Sequence, residues 1–189
     1  MLRDGQLVAM PTETVYGLAA NGLDSMAVKS LYDAKERPYY KAFSLQVADV
    51  SQVKEIASRV PEMAMRLFER FCPGPITIVL PRGSSVPRQV TGGKNTVGIR
   101  IPANKVALAV LEAAGVPLAV PSANISAHPS PTSAQMVYDD MQGRIPLILD
   151  GGPCNLGIES TIVDCTGDRP FILRHGAISE SEILGCIYK

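Results

Sequence analysis

The chain has 189 residues, of which 46% are hydrophobic, so it is long enough for one domain with a buried core and too short for a second catalytic domain. Its 18 basic residues balance its 18 acidic residues, which excludes a global electric field that would hold a polyanion. The longest apolar run, residues 106–111, is far shorter than the roughly 18 residues of a membrane span, and no signal segment is evident, so we expect a cytoplasmic protein with no membrane partner.

Short apolar runs bounded by turn residues predict strands, and helical spacing or capping-box signals predict the helices between them. In chain order, the predicted elements are strand 7–10, helix 28–35, strand 43–47, helices 50–58 and 61–71, strands 76–80 and 96–101, helix 106–114, strand 118–120, helix 133–142, strands 146–149, 161–163 and 171–173, and helix 180–187. This alternation favours an α/β fold, which we expect to be a single domain, residues 1–189, with a twisted mixed β-sheet flanked by helices.

The usual signatures of metal and phosphate sites are missing from the sequence. Its four cysteines and two histidines are scattered, so we predict no metal ligand. Gly152 and Gly157 have Walker A spacing, but Ile158 and Glu159 replace its Lys-Ser/Thr pair, and no G-x-G-x-x-G occurs. No G-x-S-x-G motif supports a Ser-His-Asp hydrolase. Functional residues are therefore to be sought in other polar segments.

The first such segment follows the first predicted strand. Thr12, Glu13 and Thr14 present two hydroxyls and a carboxylate where a strand opens into a turn, a common position for ligand contacts in α/β sheets. A simple turn with local side-chain to backbone hydrogen bonds would explain the same residues. The sequence leaves both interpretations open.

The second segment is AKERP, residues 34–38. Pro38 disfavours helical geometry at Arg37, so we expect Lys35 and Arg37 at a helix end, where they can swing toward a phosphate. The alternative is a basic helix end that complements the helix dipole.

Two later loops complete the polar segments. Residues 121–133 are rich in Ser, Asn and Pro and lead into a capped helix, which suits hydrogen bonds to phosphate oxygens but equally a plain connection. Residues 150–161 carry glycines that allow a close approach of backbone to a ligand, although a hairpin or bulge also needs them. Arg100 and Arg174 end predicted strands and could point into one cleft, or lie on the surface.

Seven segments stand in the order and at about the spacing of the landmarks of one family: PTETVYGL, KERP, CPGPITIVL, NTVGIRIP, PSANISAHPSPT, DGGPCNLGIESTI and LRHG. Over nearly its whole length the chain resembles the threonylcarbamoyl-AMP synthases of the YrdC/TsaC family. The family's mark, Lys-x-Arg followed far downstream by Ser-x-Asn, is present as Lys35, Arg37, Ser122 and Asn124. The resemblance implies a YrdC-like fold with a ligand cleft on a concave face.

The resemblance also implies an activity. It is that of an L-threonylcarbamoyladenylate synthase, a nucleotidyltransferase that converts L-threonine, bicarbonate and ATP into threonylcarbamoyl-AMP and pyrophosphate, with Mg²⁺ entering with ATP. Downstream tRNA threonylcarbamoyl-transfer proteins would use the product to form threonylcarbamoyladenosine next to the tRNA anticodon, and weak contact with tRNA itself is compatible with the fold. Adenylyl transfer depends mainly on alignment and on neutralising phosphate charge, which agrees with a sequence rich in loop cations and hydroxyls.

Carried over position by position, the family pattern assigns roles to particular residues. The implied catalytic residues are Lys35, Arg37, Ser122 and Asn124. The implied ATP contacts are Lys35, Arg37, Lys41, Thr96, Ser122, Asn124, Ser130 and Arg174, and the implied threonine contacts are Thr14, Arg100, Val120 through its backbone, and Ser160. Among these side chains, an arginine can grip the threonine carboxylate bidentately.

The chain departs from the family pattern at a few positions. Gln46 stands where many relatives carry His, and Ala42 where Pro is usual, so Gln46 is left out of the predicted site. The chain ends at Lys189 without the C-terminal domain and linker of the longer branch, so it resembles the short, single-domain branch. It also begins almost at its first predicted strand, whereas relatives usually have a helix before it.

Three other functions are weighed against the synthase. The first is an RNA-binding or ribosome-maturation module of the same fold, against which the balanced charge argues. The second is the carbamoyl-transfer domain of hydrogenase-maturation and antibiotic O-carbamoylating proteins, which carry further domains. The third is a nucleotide-binding regulator, which would bind ATP without turnover.

Overall fold

The computed structural model describes residues 1–188, so Lys189, the last residue of the predicted domain, lies outside the described residues. The strands are β1 (Val8–Met10), β2 (Gly17–Asn21), β3 (Ser44–Gln46), β4 (Ile76–Pro81), β5 (Thr96–Arg100), β6 (Leu118–Ala119), β7 (Leu147–Ile148), β8 (Thr161–Asp164) and β9 (Phe171–Arg174). The helices are α1 (Ser25–Ala34), α2 (Val53–Ile56), α3 (Glu62–Phe71), α4 (Lys105–Ala114), α5 (Ala134–Met141) and α6 (Glu180–Ile187), and 3-10 turns span Leu2–Asp4 and Val50–Gln52.

The strands form one mixed sheet in the order β7-β1-β2-β6-β3-β5-β4-β8-β9. Three neighbouring pairs, β1 with β7, β3 with β5 and β4 with β8, are parallel, and the other neighbours are antiparallel. The predicted α/β fold with a mixed sheet flanked by helices is therefore confirmed. Within residues 1–188, no helix is long and apolar enough to cross a membrane.

Side-chain caps begin several of the helices where the sequence signals them. Ser179 and Glu182 form the predicted capping box of α6, since each side chain accepts a backbone N–H of the other residue. The helix predicted at 50–58 is shorter: the capping box of Asp49 and Gln52 begins a 3-10 turn that leads into the single turn of α2. For α5 the sequence predicts a capping box of Thr132 and Gln135, which is one residue early, because Ser133 accepts the backbone N–H of Met136.

Strand β2 is missing from the sequence-based prediction. Its residues, GLAAN, are buried on both faces: Leu18 belongs to one buried cluster and Ala19 to another. A strand that is covered on both sides shows no apolar–polar alternation, and glycine and alanine have a low preference for strands. The pattern that identifies half-buried strands is therefore absent here.

The two faces of the sheet are covered unequally, and this creates the candidate site. On one face, a large apolar cluster includes Leu45 of β3 and Ile99 of β5. On the other, Leu111 of α4 packs with a smaller cluster that includes Leu118 of β6. That smaller cluster contains residues of β1, β2 and β6 but none of β3, β4 or β5. The second face is thus left open over β3, β5 and β4.

Candidate active site

A cleft of about 570 Å³ lies over this open half of the sheet. Sites for small ligands have volumes of roughly 300–1,000 Å³, so the cleft has the size of a binding site. Every residue to which the family resemblance assigns a role lines it: Thr14, Lys35, Arg37, Lys41, Thr96, Arg100, Val120, Ser122, Asn124, Ser130, Ser160 and Arg174. The structure therefore brings the predicted site residues together, and the roles assigned to them stay predictions.

Small and polar side chains of the central strands form the floor of the cleft. Ser44 of β3, Thr77 of β4 and Gly98 of β5 all line it, and the strand register pairs Gly98 with Ser44. A Cβ atom at Gly98 would stand 3.0 Å from Cγ2 of Thr77 and 3.3 Å from Cβ of Ser44. The missing side chain at Gly98 thus keeps the floor open.

Arg100 is buried beside Thr14 and Glu13. Its Nη2 donates to Oγ1 of Thr14 at 2.9 Å and lies 2.8 Å from Oε1 of Glu13, within ion-pair distance but not aligned as a hydrogen bond. The Nε atom of Arg100 is buried without a hydrogen-bond partner among residues 1–188. The guanidinium is therefore fixed by a carboxylate and a hydroxyl while it retains donor capacity for an anionic ligand.

A second arginine organises the opposite wall of the cleft. Arg174 of β9 donates through Nε and Nη2 to the carbonyl of Ser160 at 3.0 and 2.8 Å, and forms an ion pair with Glu159. Glu159 also accepts a hydrogen bond from Ser130 Oγ at 2.8 Å, and Ser160 Oγ lies 2.9 Å from Oγ1 of Thr77. One carboxylate, Glu159, thus joins Ser130 and Arg174, two of the predicted ATP contacts.

Lys35 caps the C-terminus of α1 and is only 1% exposed. Its Nζ donates to the carbonyls of Ser122 and Asn124 at 2.6 and 2.5 Å. Lys35 lies at a helix end as predicted, but its side chain is not free to swing toward a ligand, because the carbonyls of the 121–128 loop hold the ammonium in place. Burial, and then the positive charge of Arg37, lower the pKa of Lys35 to about 7.

Arg37 is also held by backbone carbonyls. Its Nε and Nη2 donate to the carbonyls of Lys41 and Ala42 at 3.1 and 2.9 Å, and the guanidinium lies over the ring of Phe43, 5.1 Å from its centroid. Burial lowers the pKa of Arg37. Both residues of the Lys-x-Arg motif are thus preorganised at the cleft wall, whereas Lys41 is exposed at its rim.

The loop that carries Ser122 and Asn124 contains a buried side-chain acceptor without a hydrogen-bond partner among residues 1–188. Asn124 Nδ2 donates to the carbonyls of Ile125 and His128 at 2.9 and 2.8 Å, and its Oδ1 is buried without a partner in the described part of the chain. The backbone N–H of Val120, at the end of β6, donates to the carbonyl of Ser44 at 3.1 Å. The expected backbone contact of Val120 with a ligand must therefore use its carbonyl oxygen.

Gln46 and Glu159 are polar cleft residues that were not among the predicted site residues. Gln46 of β3 pairs in register with Arg100, is 2% exposed, and has a buried Oε1 without a hydrogen-bond partner within residues 1–188. Glu159 lies in the glycine-rich segment that the sequence analysis singled out. For Gln46 the available signal was its position two residues after Ser44, because period 2 places both side chains on the open face.

The family model Sua5/yciO/yrdC, described as "Telomere recombination", matches residues 1–176. Among curated proteins, the threonylcarbamoyl-AMP synthase of Pyrococcus abyssi is 48% identical over 182 residues, covering 96% of this chain and 54% of that protein. The synthase of the same name from Bacillus subtilis is 45% identical, with 97% of this chain and 53% of that protein covered. This chain thus spans about half the length of these relatives, and its assignment to the short branch stays a prediction.

Solved structures of proteins named Sua5 and YciO are also similar to this chain. A structure of P. abyssi Sua5 complexed with L-threonine has a TM-score of 0.97 and 48% identity, and covers 98% of this chain and 55% of that one. The structure of Escherichia coli YciO has a TM-score of 0.85 and 28% identity, and the match covers 96% of this chain and 88% of that one. A full-length HypF structure, at 22% identity, shares the fold. The names of the synthase relatives do not favour the RNA-binding alternative.

Proposed function

The chain belongs to the Sua5/YciO/YrdC family, and on that premise we propose that it is an L-threonylcarbamoyladenylate synthase. It would join L-threonine, bicarbonate and ATP to form threonylcarbamoyl-AMP and pyrophosphate, as a nucleotidyltransferase. The synthase names of its relatives and the L-threonine bound by P. abyssi Sua5 support the proposal.

The observation that carries the proposal is the distribution of burial within the cleft. The four residues implied for threonine, Thr14, Arg100, Val120 and Ser160, are all buried. Of the eight implied ATP contacts, Lys35 and Asn124 are buried as well, whereas the other six are half-buried or, like Lys41 at the cleft rim, exposed. A small substrate in the buried part and a nucleotide reaching toward the rim would fit this arrangement. The reacting carbamate and the α-phosphorus would then meet between them.

The reaction needs positioning and positive charge more than an acid or a base. Bicarbonate takes up a proton and loses water to give carbon dioxide, which adds to the threonine amine as the amine releases a proton, so that a carbamate forms. A carbamate oxygen then forms a bond to the α-phosphorus of ATP while the bond to pyrophosphate breaks. Lys35 and Arg37 would neutralise charge on the phosphates, and Ser122 would donate a hydrogen bond to a phosphate oxygen. Because backbone carbonyls already hold both cations, little reorganisation is required when ATP binds.

Arg100 is proposed to bind the threonine carboxylate. Its guanidinium is fixed by Glu13 and Thr14, and Ser160 would contribute a hydroxyl to the same subsite. The predicted ATP contacts Lys41, Thr96, Asn124, Ser130 and Arg174 would follow the nucleotide along the cleft wall. These assignments rest on the family pattern together with the position of each residue in the cleft.

Magnesium is proposed to enter bound to ATP rather than to a site on the protein. Within the described residues, no group of three or more His, Cys, Asp and Glu side chains could hold a metal ion, and Glu159 is already paired with Arg174 and Ser130. Phosphate oxygens and water are the ligands that Mg²⁺ prefers in such sites. Threonylcarbamoyl-AMP would pass to tRNA threonylcarbamoyl-transfer proteins, and tRNA contact by this chain would be weak.

Pyrophosphate release tests the function directly. The purified chain is assayed with Mg²⁺ and ATP, with threonine and bicarbonate omitted one at a time in degassed buffer. We expect release only when both are present. Release without threonine would point to simple ATP hydrolysis, and ATP binding without any release would favour the nucleotide-binding regulator.

Substitutions just beyond the end of α1, with a control on α1 itself, connect the assay to the cleft. Lys35→Met and Arg37→Ala should each lower kcat/KM for ATP at least about tenfold, the scale of one lost charged contact. Lys29→Ala is the matched control, since Lys29 is exposed on α1, outside the cleft, and forms an ion pair with Asp33. Unchanged turnover in both cleft variants would refute the assignment of the ATP subsite.

A further inference from the structure

A carboxylate outside the cleft anchors the loop that carries Asn124. Asp140 of α5 does not line the cleft, but both its oxygens are bound to that loop. Oδ2 accepts the backbone N–H of Ile125 at 2.7 Å, and Oδ1 lies 2.7 Å from Nδ1 of His128. The contacts with His128 and with the Ile125 backbone lower the pKa of Asp140 despite its partial burial. The helix is thereby fastened to two points of the loop.

These two points are the residues that orient the Asn124 amide. Both N–H groups of Asn124 Nδ2 are used, one by the carbonyl of Ile125 at 2.9 Å and one by that of His128 at 2.8 Å. Their positions therefore dictate the direction of Oδ1, which is buried without a partner in the described part of the chain. A change in either carbonyl would rotate the amide plane and with it the free acceptor.

The same loop also holds Lys35. The carbonyls of Ser122 and Asn124 accept both described hydrogen bonds of Lys35 Nζ. The loop is thus fixed from the α1 side by a buried ammonium and from the α5 side by a carboxylate. The charged groups that act on Lys35 are Arg37 next to it, Asp140 on α5 and Glu159 in the loop before β8, and the two carboxylates favour its protonated form.

We propose that Asp140 is a positioning residue for the reaction: through Ile125 and His128 it sets the orientation of the Asn124 amide and of the carbonyls that hold Lys35. The inference rests on the proposed function, because Lys35 and Asn124 are the implied ATP contacts through which it acts. Asp140 itself is not among the residues that line the cleft. Displacements of about 1 Å in such supporting structure can cost up to about 100-fold in rate, so the anchor matters even at a distance.

The test compares Asp140→Ala and Asp140→Asn with Asp139→Asn. Asp139 is the neighbouring acid on α5, and its Oδ1 accepts a hydrogen bond from Gln135 rather than from the loop. Asp140→Asn keeps an oxygen for the Ile125 N–H and removes the charge, so it remains informative where the alanine variant is poorly folded. Pyrophosphate release gives kcat/KM for ATP between pH 6 and 9.

We expect at least a tenfold loss of kcat/KM for ATP in Asp140→Ala. In Asp140→Asn, the fall of kcat/KM at high pH should begin at lower pH, because a carboxylate that favours protonated Lys35 is gone. Asp139→Asn should show neither effect. If both Asp140 variants match Asp139→Asn in rate and in pH profile, the proposal is overturned.

A measurement that needs no turnover separates this proposal from the proposed function. In nuclear magnetic resonance spectra, the Ile125 backbone amide and the Asn124 side-chain amide should exchange faster with solvent in Asp140→Ala than in the unchanged chain or in Asp139→Asn. If the unchanged chain releases no pyrophosphate, the synthase proposal fails while these exchange rates still report on the anchor. Exchange rates equal to those of Asp139→Asn would refute the anchor itself.

Discussion

The buried ion pair of Arg100 and Glu13 allows stability and substrate binding to be separated. Removing one partner of a buried pair leaves the other charge uncompensated, which costs about 3–5 kcal/mol. Arg100→Gln should therefore lower the free energy of unfolding by that amount and raise KM for threonine far more than KM for ATP. The double variant Glu13→Gln/Arg100→Gln should regain most of the stability but not the threonine affinity.

Urea unfolding and pyrophosphate-release kinetics on the same three proteins check both parts. The double variant is the control for misfolding, since it removes both charges of the pair. An equal rise in KM for both substrates would place Arg100 outside the threonine subsite. Recovery of threonine binding in the double variant would contradict the proposed grip on the carboxylate.

The ammonium of Lys35 couples stability to pH. Burial, and then Arg37, lower its pKa from 10.5 to about 7, so between these values the unfolded chain binds more protons than the folded one. The free energy of unfolding should then rise with pH in this window, at most by about 1.4 kcal/mol per pH unit from this one group. Below about pH 7 the contribution is constant, because Lys35 is protonated in both states.

Urea unfolding between pH 7 and 9.5 measures this dependence against Lys35→Met, in which the titrating group is absent. Other groups titrate in both proteins, so their effect cancels in the difference. We expect the stability of the unchanged chain, relative to Lys35→Met, to rise by about 1–3 kcal/mol across the window. If the free energy of unfolding depends on pH in the same way in both proteins, Lys35 has the same pKa in the folded and in the unfolded chain.

The absence of a side chain at Gly98, in a central strand, leaves room for the cleft. Gly98 of β5 lies in the floor, where a Cβ would stand 3.0 Å from Cγ2 of Thr77. Valine suits a strand and cannot avoid the cleft, so Gly98→Val should keep the fold and weaken threonine and ATP binding by at least about tenfold. Gly185→Ala on α6, where nothing among residues 1–188 lies within 4 Å of an added Cβ, should leave binding unchanged and stabilise the helix by up to about 1 kcal/mol.

Calorimetric titration of both glycine variants with each substrate decides whether the floor forms the binding surface. If Gly98→Val binds both substrates with unchanged affinity, the ligands do not contact β5 at this position. Unfolding by urea checks that both variants fold. A large loss of stability in Gly98→Val would mean that Ser44 of β3 and Thr77 of β4 cannot shift by the few tenths of an ångström that the new side chain requires.

Local sequence signals predict individual helices and strands, whereas strands buried on both faces and the burial of single side chains depend on tertiary contacts. The capping box of Ser179 and Glu182 identifies α6 because its hydrogen bonds lie within four residues. Strand β2 escapes prediction because both its faces are buried, so nothing in GLAAN alternates. Lys35 shows the same limit: its helix-end position is readable from Pro38, whereas its burial depends on carbonyls 87 and 89 residues further along the chain.

Across the whole molecule, the order of motifs predicts which residues meet but not how they are bonded. The collinear segments indicate the cleft because six of the seven contain, end or follow a strand of the sheet, and KERP follows α1. The links made by Glu13, Asp140 and Glu159 are different, since a carboxylate in a loop or on a helix has no sequence pattern that reveals its partner. These three acids hold Arg100, the 121–128 loop and Arg174.

Ligands should stabilise the entire fold, because the residues that line the cleft are spread along the chain from Thr12 to Arg174. At about 100 times its Kd, a ligand that binds only the folded state adds about 2.7 kcal/mol. A chain of this size gains about 2–4 °C in Tm per kcal/mol, so Mg²⁺-ATP and threonine should each raise Tm by about 5–10 °C.

One variant and its control test whether the rise in Tm with ATP and the rise with threonine come from different parts of the cleft. Arg37→Ala should lose most of the rise caused by ATP and keep the rise caused by threonine, because Arg37 lies with the implied ATP contacts. Arg88→Ala is the control, since Arg88 is exposed outside the cleft and bonds to Gly93 and Asn95. If the rise with threonine falls in Arg37→Ala as much as the rise with ATP, the two substrates share a subsite. In that case the proposed division of the cleft into a threonine part and a nucleotide part is wrong.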